Sequence, residues 1–263
     1  MVQLPSGFSR RLHEICESVR DVDGYLTDRE IEFLALLAAC PTAPGEILEI
    51  GTFRGKSTIV LSRAASLAGS GRVVAVDPLD VSVPPFDGTG QSLARAIVDC
   101  NFRRAGIAAN VEFHQMKSAE LGRSWRRSIR LLWIDGDHSY QGAKTDYDSF
   151  AHHLADRGII AFHDILNAFG CIHVFIECVL ANPHFGPAGM CGSIGWAQHS
   201  RDPSRIARYA ADKRRLARQL QRLAPFSHHG ERLEGFRKLR FRIWRAAVPH
   251  QRVDAAAWVA AVA

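Results

Sequence analysis

Five short, mostly apolar runs recur along the chain: EILEI at 46–50, RVVAV at 72–76, NVEFH at 110–114, RLLWI at 130–134 and GIIAF at 158–162. Each has the length of a strand, and each is separated from the next by enough residues for a helix. Strands with little polar alternation need cover on both faces, and a helix between consecutive strands lets them run parallel. The pattern predicts an α/β fold: a doubly wound, mostly parallel sheet with helices on both faces. Helices are expected at 8–20, 27–39, 55–68, 90–105, 117–123, 141–155 and 168–181, with a further strand at 192–198. Thr27, with Glu30 three residues later, reads as a capping box for the second helix. Pro41 and Pro44 close that helix.

In such a sheet, ligands gather at the carboxyl ends of the strands. The residues there are Gly51-Thr-Phe-Arg-Gly55 after the first run and Asp77 after the second. Ser118 and Glu120 follow the third, Asp135, Asp137 and His138 the fourth, and His163 and Asp164 the fifth. The first turn reads Glu49-x-Gly51-x-x-x-Gly55. The middle glycine of a dinucleotide fingerprint is replaced by Phe53, which weakens the phosphate cradle. Glu49 would repel an anion, and an acid beside a glycine turn suits a ligand with positive charge or hydroxyls. Asp77 suits a ribose diol. A nucleoside with a cationic amino-acid tail fits this wall better than a dinucleotide.

Charge divides the chain. From Arg201 onward there are 15 Lys and Arg against 5 Asp and Glu, a net of +10, whereas the first 200 residues hold 18 against 22, a net of −4. A boundary near residue 200 follows, and the organisation expected is a helical cap at 1–44, a ligand-binding domain at 45–199 and a basic helical extension at 200–263. In the extension, Asp202-Pro203 reads as an N-cap and first helical residue. Ile206, Tyr209, Leu216, Leu220 and Leu223 form one apolar stripe, and Leu233, Phe236, Leu239, Ile243 and Trp244 a second. These are expected to pack on the sheet domain or on a second subunit, which would make the protein a homo-oligomer. Basic amphipathic helices also lie on anionic membranes or grip RNA phosphates.

No apolar run approaches the roughly 20 residues that span a bilayer, and the start, MVQLPSGFSRRLHEICESV, has no secretory pattern. The six cysteines form no CxxC pair, which points to reduced thiols in a cytoplasmic protein.

EIGTFRGKST, VVAVDP, LLWIDGDHSY and GIIAFHD, in that order, resemble the class I S-adenosylmethionine-dependent methyltransferases. The similarity is to small-molecule O-methyltransferases of sugar and natural-product pathways and, more distantly, to the catechol O-methyltransferase group. It covers residues 20 to 198 and implies a Rossmann-like fold. It implies that Glu49, Gly51 and Gly55, with Thr52, Phe53 and Ser57, shape the cofactor's methionine pocket. Asp77 would hold the ribose, Ser118 would lie by the adenine, and Asp135 would sit at the reaction end. Glu49 is expected to organise the turn and its amides.

Methyl transfer to a hydroxyl needs positioning and removal of a proton. His138 is the first candidate base and His163 the second, with Asp135 beside them. Metal-dependent relatives place their ligands where Asp135, His163 and Asp164 stand here, so a divalent cation such as Mg²⁺ is a further expectation. The histidine departs from the oxygen donors Mg²⁺ prefers. Arg54, Lys56, Asp146, Asp148, His152 and His153 are expected at the solvated surface, and 78–92, with Phe86, reads as a substrate-side loop or lid. Two other functions stay open. One is an RNA methyltransferase using the basic helices, although no Asn-Pro-Pro-aromatic motif is present. The other is a non-catalytic nucleoside-binding module.

Overall fold

The computed structural model describes residues 2–69, 71–79, 92–227 and 233–263. Helices α1 (Phe8–Ser18) and α2 (Asp28–Ala39) open the chain. Strands and helices then alternate: β1 (Glu46–Ile50), α3 (Lys56–Ser66), β2 (Val73–Val76), α4 (Ala94–Arg104), β3 (Val111–His114), α5 (Ser118–Ser124), β4 (Ile129–Ile134), α6 (Tyr140–Phe150), β5 (Leu154–Phe162) and α7 (Phe169–Val174). A hairpin of β6 (Phe185–Cys191) and β7 (Ile194–His199) completes the sheet, and α8 (Pro203–Leu223), α9 (Gly235–Ala247) and α10 (Ala255–Val262) follow. The strand order is β3-β2-β1-β4-β5-β7-β6. The first five strands are parallel, and β7 runs antiparallel to both neighbours. This is the doubly wound sheet that the alternation of runs predicts.

The pleat sorts each strand's side chains into two cores. Ile47, Leu131, Trp133 and Ile159 point to the layer built by α2, α3 and α10. Leu48, Ile50, Leu132, Ile134, Ile160 and Phe162 point to the opposite layer, where they meet Phe150 of α6, Ile172 of α7 and Leu216 and Leu220 of α8.

Several elements differ from the sequence expectation. Strand β6, FGPAGMC, contains proline and glycines and carries no strand signal, but it lies at the sheet edge, where a missing N–H is tolerated. Gly192, with φ +59°, and Ser193 turn it into β7. The helix placed at 141–155 ends at Phe150, and β5 starts at Leu154 rather than 158. The helix placed at 168–181 widens into π-helical turns from Phe175 to Leu180. Nothing in the sequence reading places α10, whose Trp258 is buried with its ring centroid 6.5 Å from Phe33 and 6.0 Å from Trp196.

In the basic extension, the Asp202 carboxylate accepts from the Ser204 amide at 2.9 Å, and Leu216, Leu220 and Leu223 are buried, as the first stripe predicts. The second stripe is divided: Trp244 packs on the core, joined by Phe241, whereas Phe236, Leu239 and Ile243 are 73, 52 and 54% exposed. Most of the expected lid, including Phe86, lies outside the described residues. Among the described residues no helix is long and apolar enough to cross a membrane.

Candidate active site

The register aligns the strand ends. Ile50 pairs with both Val76 and Ile134, Val76 with His114, and Ile134 with Phe162. The hydrogen-bonded ladder then runs one residue further. The amides of Gly51, Asp77, Asp135 and His163 donate to the carbonyls of Val76, His114, Ile50 and Ile134 at 2.8–3.1 Å. Four residues from four distant sequence positions therefore stand in a row. Beside them opens a cavity of about 670 Å³, a size that suits a cofactor or substrate. Gly51, Thr52, Phe53, Ser57, Asp77, Ser118, Asp135, His138, His163 and Asp164 all line it; of the expected site residues only Glu49 and Gly55 do not.

The glycines of the first turn answer to the protein's own chain. Gly51 has φ +89°, and a Cβ there would come within 2.1 Å of the Asp135 carbonyl oxygen. Gly55 has φ +88°, and a Cβ there would come within 2.6 Å of the Phe102 ring. Asp77 holds the turn between them. Its Oδ2 accepts from the Thr52 amide at 2.7 Å and the Phe53 amide at 2.8 Å, and its Oδ1 accepts from the Leu79 amide at 2.7 Å. Organising the turn's amides thus falls to Asp77 rather than Glu49. Glu49 lies fully buried beneath the turn and accepts from the Thr58 hydroxyl. Burial, aided by the charges of Asp135 and Asp77, pushes its carboxyl up to about 8 against the hydrogen bonds from Ser57 and Thr58.

At the other end of the row, Asp135, His138 and Asp164 converge. Nε2 of His138 is 3.5 Å from Oδ1 of Asp135 and 3.6 Å from Oδ2 of Asp164. One ligating atom from each of the three lies within 4.8 Å of the others. His138 thus joins the two carboxylates that the sequence reading groups with His163, and His163 Nδ1 is itself 3.7 Å from Oδ2 of Asp164. His163 is buried behind it, with Nδ1 3.2 Å from Asp135 and Nε2 3.8 Å from Glu30. Burial opposes its positive charge, but Asp135, Glu30 and Asp164 override this and raise it to about 11. A histidine held protonated is a poor proton acceptor at neutral pH. His138 is also raised, by its bond to Asp135 against burial. Asp164 has φ +54°, backbone strain of the kind concentrated at functional sites.

Glu30 is the residue that the sequence offers only as a helix cap. Its Oε2 accepts from the Thr27 amide at 2.8 Å and the Thr27 hydroxyl at 2.7 Å, as the capping box predicts. Its Oε1 accepts from the Ser193 amide at 2.5 Å. One acid thus joins α2, the β6–β7 turn and His163. Asp146, expected in solvent, is buried on the inner face of α6 and accepts from Ser118; burial pushes its carboxyl up to about 6. Lys56 lines the cavity rather than facing away. Arg54 pairs with Asp23 and lies 5.3 Å over the Phe53 ring. Asp148 pairs with Lys144 at 2.6 Å on the surface.

Residues 48–165 match the family model of a methyltransferase domain. The chain's fold is similar to that of an O-methyltransferase from Bacillus cereus bound to S-adenosylhomocysteine, at 22% identity and a TM-score of 0.50 over 72% of this chain and 90% of that one. It is similar to the O-methyltransferase TomG from Streptomyces achromogenes, involved in tomaymycin synthesis and bound to S-adenosylmethionine, at 16% identity and a TM-score of 0.51 over 76% and 92%. A protein from Corynebacterium glutamicum matches at 14% identity and a TM-score of 0.55 over 73% and 91%. At these identities the likeness is one of fold.

The walls of the cavity are acidic. Asp23, Asp77, Asp135, Asp137, Asp146 and Asp164 line it against Lys56 and Lys117. Such a lining favours a ligand with positive charge. Thr52 adds a buried hydroxyl without a partner among the described residues, at the cavity wall. A buried polar atom of this kind fits a hydrogen-bonding group of a ligand.

Proposed function

We propose that this chain is an S-adenosylmethionine-dependent O-methyltransferase that acts on a hydroxyl of a small molecule. The observation that carries the reading is the acid-lined cavity on the aligned strand ends of a methyltransferase domain, with Asp135, His138 and Asp164 converging on one wall. The cofactor supplies a methyl group on a cationic sulfur. The residues fit it: Gly51, Thr52, Phe53 and Ser57 line the side of the turn, Asp77 offers carboxylate oxygens to hydroxyls, and Ser118 lies near the α6 end. Positioning by this wall supplies much of the rate.

His138 is assigned the role of base. Asp135 and Asp164, 3.5 and 3.6 Å from Nε2, stabilise the imidazolium that forms when His138 takes the acceptor's proton. Asp135, His138 and Asp164 also offer two carboxylates and an imidazole to a divalent cation, a donor set that suits Mn²⁺ or Zn²⁺ better than Mg²⁺. Such a cation would act as a Lewis acid toward the acceptor oxygen. His163, with Nδ1 3.2 Å from Asp135 and 3.7 Å from Asp164, offers that set a further imidazole in its neutral form. A sugar or natural-product acceptor and a cytoplasmic site of action, with all six cysteines free, complete the reading.

Thermal unfolding with S-adenosylhomocysteine, with NADH and with neither tests the proposal. At about 100 times its dissociation constant, the right ligand stabilises by roughly 2.7 kcal/mol. A rise with S-adenosylhomocysteine alone is expected, and a rise with NADH alone would overturn the reading. Repeating the scan with Mn²⁺ and with EDTA separates the base from the metal role.

A further inference from the structure

We infer that helix α9 is a docking surface for anionic phospholipid membranes. The helix is built against its own chain on one side only. Phe241 and Trp244 pack toward the core, and Phe241 lies 6.3 Å from Phe226 of the preceding turn. On a different face, Phe236, Leu239 and Ile243 fall within roughly 60° of arc at 3.6 residues per turn. All three are more than half exposed, in a helix that buries no residue fully.

The charges around this stripe identify its occupant. Between 235 and 247 the chain has Arg237, Lys238, Arg240, Arg242 and Arg245 and no Asp or Glu. By the same helical spacing Arg240 flanks the stripe on one edge and Arg242 on the other. Beside the Arg240 edge lies a cleft of about 480 Å³ lined by Arg222, Pro225, Phe226, Arg237, Arg240 and Trp244. Arg222 sits 4.8 Å over the Trp244 ring, and Arg240 sits 5.9 Å over the Phe226 ring. An apolar ridge with guanidinium groups on both sides is what an interfacial helix presents. The ridge enters the acyl boundary while the cations stay with anionic headgroups.

A second copy laid face to face would set the flanking Arg240 and Arg242 of one helix against those of the other. Of the stripe only Phe236 has a planar face on which a base of RNA can stack; Leu239 and Ile243 are aliphatic and suit insertion among acyl chains. Since no described helix spans a bilayer, attachment through α9 is peripheral.

The test is co-sedimentation of the full chain with sucrose-loaded vesicles. One set is phosphatidylcholine alone, and the other is phosphatidylcholine mixed with phosphatidylglycerol. Binding is expected with the mixed vesicles only and should weaken as salt is raised. The triple substitution Phe236→Ser, Leu239→Ser, Ile243→Ser is expected to weaken it by at least about tenfold, given the apolar area removed. Arg240→Gln with Arg242→Gln is expected to weaken it and to reduce its salt dependence. These side chains are exposed, so the thermal midpoint should hold, which shows that the variants fold. Failure of the wild type to sediment with mixed vesicles overturns the proposal, as does equal sedimentation of the triple variant. Light scattering that shows a dimer dissolved by the triple substitution would assign the stripe to a second copy and also overturn it.

Discussion

Nε2 of His163, at the end of β5, lies 3.8 Å from Oε2 of Glu30, in the first turn of α2. Both side chains are almost fully buried, and Glu30 also holds the Ser193 amide. Burial opposes ionisation of Glu30, but the nearby charge of His163 and the hydrogen bonds from Thr27 and Ser193 hold its carboxyl at about 2. Removing one member of a buried pair strands the other, at a cost of about 3–5 kcal/mol. Glu30→Gln is therefore expected to lower the thermal midpoint by roughly 10 °C. A shift of less than about 2 °C in a calorimetric scan would show that the pair holds little of the fold.

The same network sets a pH window. The folded value of Glu30 is depressed, so its stabilisation is present above the usual carboxylate range and lost as pH falls toward 2. His163 is raised to about 11, so its stabilisation is full below about 6.5 and declines as pH rises toward 11. Glu49, raised to about 8, acts in the same direction, because its buried carboxyl becomes costly as it ionises. Stability is expected to be highest at about pH 5–6 and to fall steadily by pH 9, as urea unfolding at each pH would record. A curve still rising between pH 6 and 9 would refute the protonated assignment of His163.

Glu49→Gln isolates one part of that slope. The amide oxygen can still accept from Thr58, and the group no longer ionises. The variant is expected to match the wild type at pH 5 and to exceed it by about 1–3 kcal/mol at pH 8. A loss of stability at both pH values in the same unfolding experiment would show that the carboxylate, not the acid, is the native form.

Asp77 holds the Thr52 and Phe53 amides of the first turn and the Leu79 amide after β2, and it lines the cavity. Asp77→Ala removes hydrogen bonds to a charged group, each worth about 1.5–3 kcal/mol. Affinity for S-adenosylhomocysteine is expected to fall at least about tenfold by titration calorimetry. Unchanged affinity would place the ligand away from this turn.

His138→Gln separates catalysis from binding. Turnover on an acceptor found by screening for S-adenosylhomocysteine release is expected to fall by about 10²–10⁴-fold, with cofactor affinity kept. The raised value of His138 predicts that wild-type activity increases with pH through a midpoint above 6.5. A flat pH profile together with full sensitivity to EDTA would move His138 from base to metal ligand.

The local pattern of the sequence determined the layers, the five parallel strands and the row of polar residues at their ends. Strand runs such as RLLWI and GIIAF are apolar on both faces, and that property alone requires cover on both faces of a sheet. The capping box of Glu30 and the N-cap of Asp202 were legible because both act within three residues. Tertiary structure decided whatever depends on distant neighbours. Edge position, not composition, makes a strand of FGPAGMC. Only the register of four strands shows that Gly51 is glycine because the Asp135 carbonyl passes it. Only packing of α2 against the β6–β7 turn turns a capping acid into the counter-charge of a buried histidine 133 residues away, and only the strand ends bring both His138 and His163 against Asp135 and Asp164. A sequence fixes which side chains alternate along an element; the contacts between elements decide which of them are desolvated, and desolvation sets their charge.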